Sequence, residues 1–197
     1  MKKILICFCV SLLFTTAGIS VCASGTSTPV FGGKFVNGVG NTLIYLDYSS
    51  GIGAWEGYIT TAADNWMYTG WSNPIYITFV SSDNGSNIDF YAENNSYWTA
   101  RGYYGVLGET AQFRNGQKVN QYSSNWTYAE IRLNDTLLRS DSVSNYNCQG
   151  TVCHEMGHAF GLAHNNSNTG SVMCQLSSGR TVNRPAQTDN DAINLLY

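Results

Sequence analysis

The sequence predicts a single α+β domain, and three observations carry that expectation. Five β-rich segments occupy the front two thirds of the chain, an amphipathic helical stretch lies among them, and a histidine-bearing segment from residue 154 has the spacing of one helix face. At 197 residues the chain has room for one ordinary domain with its own core. Hydrophobic residues make up 43% and charged residues 12%, too apolar a balance for a disordered chain. A net charge of −3 gives no basic footprint, so neither nucleic acid nor an anionic membrane is an expected partner.

Residues 1–23 read as a secretory signal peptide: Lys2 and Lys3 open it, Ile4 to Phe14 is apolar, and Val21-Cys22-Ala23 offers a cleavage site near Ala23. The apolar run is shorter than the roughly 20 residues of a spanning helix. Cys22 also admits a lipoprotein reading, although Val21 stands where lipidation wants a small residue. The expected product is secreted and extracellular, with no membrane contact after cleavage. Residues 24–41, rich in Gly, Ser, Thr and Asn, read as a flexible mature N-terminus, and 42–197 as the folded domain.

Thr42 to Tyr48 alternates, with Ile44, Leu46 and Tyr48 on one side of a strand. Trp55, Ile59, Ala62 and Trp66 recur at helical spacing, which predicts an amphipathic helix over Ala54 to Met67. Ile75 to Val80 and Asn87 to Tyr91 are β-rich and are separated by the turn residues Ser82-Asp83-Asn84-Gly85. The Tyr- and Asn-rich stretch Asn94 to Tyr104 reads as a solvated loop with aromatic anchors, or alternatively as a carbohydrate or peptide contact surface. Tyr103 to Phe113 reads as an irregular edge strand and Trp126 to Leu133 as a further strand. Once Cys7, Cys9 and Cys22 leave with the signal, Cys148, Cys153 and Cys174 remain; an oxidising compartment then predicts one disulfide and one odd thiol.

The chemistry is concentrated in His154-Glu155-Met156-Gly157-His158-Ala159-Phe160-Gly161-Leu162-Ala163-His164, which is H-E-x-x-H-x-x-G-x-x-H and contains every histidine of the chain. On a helix, residues four apart lie one turn above each other, so His154 and His158 present their rings to one point. Gly161 can take the left-handed conformation that ends a helix and lets His164 return as a third ligand. Three imidazoles leave a tetrahedral position for water, the arrangement of a catalytic zinc site. Glu155 is offset about 100° round the helix and can act as general base on that water without ligating the metal.

These residues resemble the metzincin clan of zinc metallopeptidases, and within it the matrixins. Ser171-Val172-Met173 resembles the clan's Met-turn, with Met173 as a floor beneath the ligands. Asp189-Asn190-Asp191-Ala192-Ile193-Asn194-Leu195-Leu196-Tyr197 resembles the matrixin closing helix, for which Thr188 is the expected N-cap. Gly105-Val106-Leu107-Gly108 resembles the edge strand that pairs with bound substrate. The resemblance covers roughly residues 42–197 and implies a metzincin-like fold: a mixed, twisted five-stranded sheet with two long helices, an upper subdomain ending near 164, a cleft, and a lower subdomain 165–197 with the Met-turn and closing helix.

It also implies a secreted zinc endopeptidase, acting as a monomer on extracellular proteins or peptides. Val106, Leu107, Gly108 and Gln175 would contact substrate, and residues from Gln175 to Arg180 would line the pocket for the side chain following the scissile bond (P1′). Glu109 stands near the place where matrixins usually carry a histidine for a second zinc, so one zinc ion is expected; calcium is allowed by the family but nothing in the sequence supports it. A Cys153–Cys174 disulfide would tie the active-site helix to the Met-turn, with Cys148–Cys174 or no disulfide as alternatives. Two other functions stand beside the protease: a catalytically silent secreted binding protein, against which the presence of Glu155 speaks, and a zinc hydrolase of a non-peptide amide.

Overall fold

The computed structural model describes residues 27–197, so the signal peptide and residues 24–26 lie outside the described residues. Strand β1 is Thr42–Leu46, in which Thr42, Ile44 and Leu46 point inward. Tyr48 does not continue it: Asp47 accepts from the Ser49 amide, turns the chain into a short 3-10 segment, and leaves Tyr48 exposed. Helix α1, Glu56–Met67, buries Ile59, Ala62, Ala63 and Trp66 as the periodicity predicts. Strands β2, Ile77–Val80, and β3, Ile88–Glu93, follow, and both run parallel to β1 on its two sides. The Ser82–Gly85 turn therefore carries the chain across to the far side of β1 and does not close a hairpin.

Asn94 to Tyr104 is not a loop throughout. Helix α2 spans Asn95–Ala100, capped by the Asn94 side chain accepting from the Ser96 and Tyr97 amides, and Trp98 on it is fully buried. The edge segment becomes strand β4 only at Gly108, running Gly108–Arg114, and a short β5, Gln117–Lys118, folds back on its far end. Strand β6 is Tyr128–Asn134, and the short helix α3, Asp135–Leu138, follows it. The sheet order is β2-β1-β3-β6-β4-β5, mixed because β4 runs antiparallel to β6. It has six strands where five are expected, the extra one being the two residues of β5. Helix α4, Asn145–Ala159, packs with α1 on the sheet, and helix α5, Gln187–Leu196, closes the chain. Among the described residues no helix is long and apolar enough to cross a membrane.

Two expectations about chain ends are corrected. From residue 27 to 41 the N-terminal segment is packed, with Phe31, Phe35 and Val39 buried and main-chain bonds from Phe31 N to Gly161 O (2.8 Å) and Ala163 N to Pro29 O (2.8 Å). Its glycines signal close approach, since a Cβ on Gly32 or Gly33 would collide with the backbone of Tyr122 or Ser124. Helix α5 is not capped by Thr188: its N-cap is Ala186, whose amide donates to Asp189 Oδ2 at 2.9 Å. Thr188 lies inside the first turn, and its hydroxyl is buried without a hydrogen-bond partner among the described residues.

Candidate active site

Helix α4 delivers His154, Glu155 and His158 from a length of helix that is buried throughout. His154 Nδ1 lies 2.8 Å from Val172 O, and His158 Nδ1 lies 2.8 Å from Leu162 O. A carbonyl can only accept, so each Nδ1 carries the proton and each Nε2 is left with a free lone pair. The chain leaves the helix at Gly161, whose φ of 105° is open to glycine and strained for any other residue. His164 then turns back until its Nε2 is 3.1 Å from His158 Nε2. The ligating atoms of His154, His158 and His164 all fall within 4.8 Å of one another.

The surroundings keep these rings neutral. Burial is the main cause lowering the pKa of His154 well below the usual imidazole value, that of His158 to about 4, and that of His164. Neutral imidazole is the form that binds a metal. Phe31, from the N-terminal segment, stacks on His158 with ring centroids 5.6 Å apart and so adds a second constraint to the Leu162 hydrogen bond. The donor set of three oriented imidazoles fits a zinc ion with one position left open.

Glu155 faces β4. Thr110 Oγ1 lies 2.8 Å from Glu155 Oε2 and 2.9 Å from the Glu155 carbonyl oxygen, so the hydroxyl pins both the carboxylate and its backbone. Burial pushes the carboxyl up to about 7, against the opposing pull of the Thr110 hydrogen bond and the Arg180 charge. A Cβ on Gly108 would come within 2.9 Å of Glu155 Cγ; the glycine is required for β4 to approach the helix this closely. Thr110 was not singled out from sequence, although it shares a face of β4 with Gly108 at i, i+2, and that register would have found it.

Met173 is fully buried beneath the ligands, against Gly157, where an added Cβ would run into the Met173 sulfur. Gly157→Ala is therefore expected to destabilise the protein by about 1–3 kcal/mol, as overpacking a filled core does. Equilibrium denaturation of the variant against the parent checks this, and an unchanged midpoint would mean the floor yields freely.

Val106, Leu107, Gly108 and Gln175 line one cleft of about 840 Å³ together with the three histidines and Glu155. Leu107 and Val106 are held from the β6 side: Asn134 N donates to Leu107 O (2.9 Å) and Asn134 Nδ2 to Val106 O (2.8 Å). Gln175 Oε1 accepts from Asn166 Nδ2 at 2.8 Å. Glu109 pairs with Arg101 at 3.4 Å and accepts from Tyr97 Oη at 3.0 Å.

The expected disulfide is absent. Cys148, Cys153 and Cys174 are three free, buried thiols with separate surroundings. Cys148 Sγ donates to Leu138 O (3.3 Å), while Cys153 Sγ accepts from Gln149 Nε2 (3.6 Å) and Cys174 Sγ faces Gln175 O (3.5 Å). Adjacency in sequence to a ligand and to the Met-turn does not aim the two sulfurs at each other.

The family comparison agrees with this geometry. The family model described as matrixin matches residues 58–197. The chain belongs to the matrixin family. Its mixed sheet, α4 and the His154, His158, His164 cluster are those of a matrixin catalytic domain, and membership places the chain among zinc metallopeptidases. No curated protein matches the chain. Within this matrixin, residues 27–57, which include Phe31, fall outside the matched range yet contribute to the wall of the site.

Proposed function

We propose that this matrixin is a secreted endopeptidase that hydrolyses peptide bonds of extracellular proteins, with His154, His158 and His164 holding one zinc ion and Glu155 as general acid and base. The observation that carries the reading is the pair of Nδ1–carbonyl hydrogen bonds, which leave the Nε2 lone pairs of His154 and His158 beside His164 Nε2. Zinc, when bound, acidifies a water molecule and polarises the scissile carbonyl.

Everything else in the reaction falls to the chain. Glu155, oriented by Thr110, takes a proton from the attacking water and returns it to the departing amine. A carboxyl with a pKa near neutrality serves in both directions. The β4 edge and the Val106–Leu107 segment before it offer main chain to an extended substrate, which adds to the sheet as a strand. Met173 and Gly157 supply the rigid floor that keeps the His154–His158 spacing fixed.

Digestion of an unbiased peptide library by the purified protein tests this reading. Cleavage that stops on adding a chelator and returns with zinc is the expected result. Zinc bound without cleavage of any peptide would favour the silent binding protein instead.

A further inference from the structure

Among the described residues, Arg180 is a buried cation with no carboxylate within ion-pair distance, although its charge reaches Glu155 in the same cleft. Its side chain is 7% exposed, yet the ion pairs of the described residues are Arg101 with Glu109, Arg132 with Glu93 and Glu130, and Arg139 with Asp135. Its own hydrogen bonds are two long ones, both from Nη2: 3.3 Å to Asn147 O and 3.4 Å to Thr151 Oγ1. Nε and Nη1 donate to nothing among the described residues. A guanidinium is a five-donor fork that remains charged, and burying it without a counter-charge is costly. The sequence makes room for it: a Cβ on Gly150 of α4 would stand 2.8 Å from Arg180 Nη2.

The cation does not lie in a sealed core. Arg180 lines the same cleft as His154 and Glu155, next to Thr151, with Val143 and Leu176 as apolar walls. Such apolar lining suits the methylenes of a short side chain, and a guanidinium in the same cleft suits a carboxylate. We infer that Arg180 is a specificity-determining residue and that this enzyme cleaves on the amino side of aspartate or glutamate, whose side-chain carboxylate pairs with the Arg180 guanidinium. The inference rests on the endopeptidase reading above and adds the chemical class of the P1′ residue to it.

The energetics run in one direction. An entering carboxylate gives Arg180 a charge-assisted, two-pronged partner in a site already shielded from water. An apolar side chain of the same size leaves the cation desolvated and still unpaired, and an amide offers it one neutral acceptor. Charge-assisted hydrogen bonds of this kind correspond to about 10- to 100-fold in binding or rate.

The experiment compares peptides that differ only at P1′ (Asp, Glu, Asn, Gln, Leu) with the zinc-loaded enzyme and its Arg180→Met and Arg180→Lys variants, the fold of each checked by circular dichroism. The expected result is kcat/KM about 10- to 100-fold higher for Asp or Glu than for Asn or Gln. That preference is lost in Arg180→Met, which turns to Leu, and partly kept in Arg180→Lys, where charge remains without the fork. Wild-type cleavage that favours Leu, or an acidic preference that survives Arg180→Met, overturns the inference. Should Arg180→Met fail to fold, the wild-type ranking and the lysine variant decide.

Calorimetric binding of the same peptides separates this question from catalysis. If no peptide is cleaved, the endopeptidase reading fails by itself. Tighter binding of the acidic peptides by the wild type than by Arg180→Lys still supports the assignment of Arg180, and equal binding of acid and amide peptides overturns it.

Discussion

Replacing Glu155 with glutamine is expected to slow peptide hydrolysis by about 10²- to 10⁴-fold, the range that a positioned general acid–base supplies, while leaving the fold and zinc content unchanged. Glutamine has the outline of glutamate, and its side-chain oxygen can still accept from Thr110 Oγ1, which lies 2.8 Å from Glu155 Oε2. The tight approach of Gly108 to Glu155 Cγ is to a methylene that both residues share. Nothing in the packing distinguishes the two.

The ligands are equally indifferent. His154 and His158 are oriented by Val172 O and Leu162 O, neither of which touches the Glu155 carboxylate, so metal affinity should persist. What glutamine lacks is a group that takes up and releases a proton near neutrality, as the buried Glu155 carboxyl does. Single-turnover and steady-state rates, with zinc content measured on the same samples, check the prediction. A glutamine variant within a few-fold of the parent would remove Glu155 from the mechanism and leave proton transfer to another group.

The site was more legible in the sequence than its support. The 3.6-residue period puts His154 and His158 on one face wherever that helix forms, and Gly161 announces the turn to His164, so the ligand set follows from covalent spacing alone. The β-rich segments and α1 were readable for the same reason, each being decided within about ten residues. Long-range contacts were not. Phe31 reaches His158 across 127 positions, and the glycines beside it, which read as flexibility, are there because other backbone passes within contact distance.

Helix α2 was hidden because Asn94, Asn95 and Ser96 favour loops and caps in isolation, and only burial of Trp98 settles the matter. The cysteines show the reverse error. Cys153 stands beside a histidine of the site and Cys174 beside Met173 in the sequence, but the Cys153 sulfur is engaged by Asn65 of α1 and Gln149 of α4, a packing that no local pattern encodes. Arg180 lay within a stretch assigned to the pocket, and its charge mattered only once its burial and its lack of a partner were known.

Asp189→Ala is expected to destabilise the protein by about 3–5 kcal/mol, because several buried donors lose their shared acceptor at once. Asp189 is fully buried at the start of α5, and its two oxygens gather four donors from three separate segments. Oδ1 accepts from Thr28 Oγ1 (2.6 Å) and Ser171 Oγ (2.5 Å), and Oδ2 from Val172 N (3.0 Å) and Ala186 N (2.9 Å). Alanine leaves all four without that acceptor in a region closed to solvent, where each unpaired donor carries its own desolvation cost. For a domain whose total stability is about 5–15 kcal/mol, such a loss shows as a fall in Tm of about 6–20 °C.

The effect should also reach the metal. Val172, whose N–H is held by Asp189, is the residue whose carbonyl fixes His154 Nδ1, and the Ser171 hydroxyl accepts from the Met173 amide at 3.0 Å. Freeing that segment lets His154 rotate, and loss of such an orienting partner typically costs about 10- to 100-fold in metal affinity. Asp189→Asn separates the two consequences, since it keeps one acceptor oxygen while its amide opposes two of the donors; an intermediate loss of both stability and affinity is expected. Thermal denaturation and competitive chelator titration read the two quantities on the same variants. If Asp189→Ala lost stability with zinc affinity unchanged, the Met-turn would be held by Met173 packing alone and the aspartate would serve only to fasten the N-terminal segment to the closing helix.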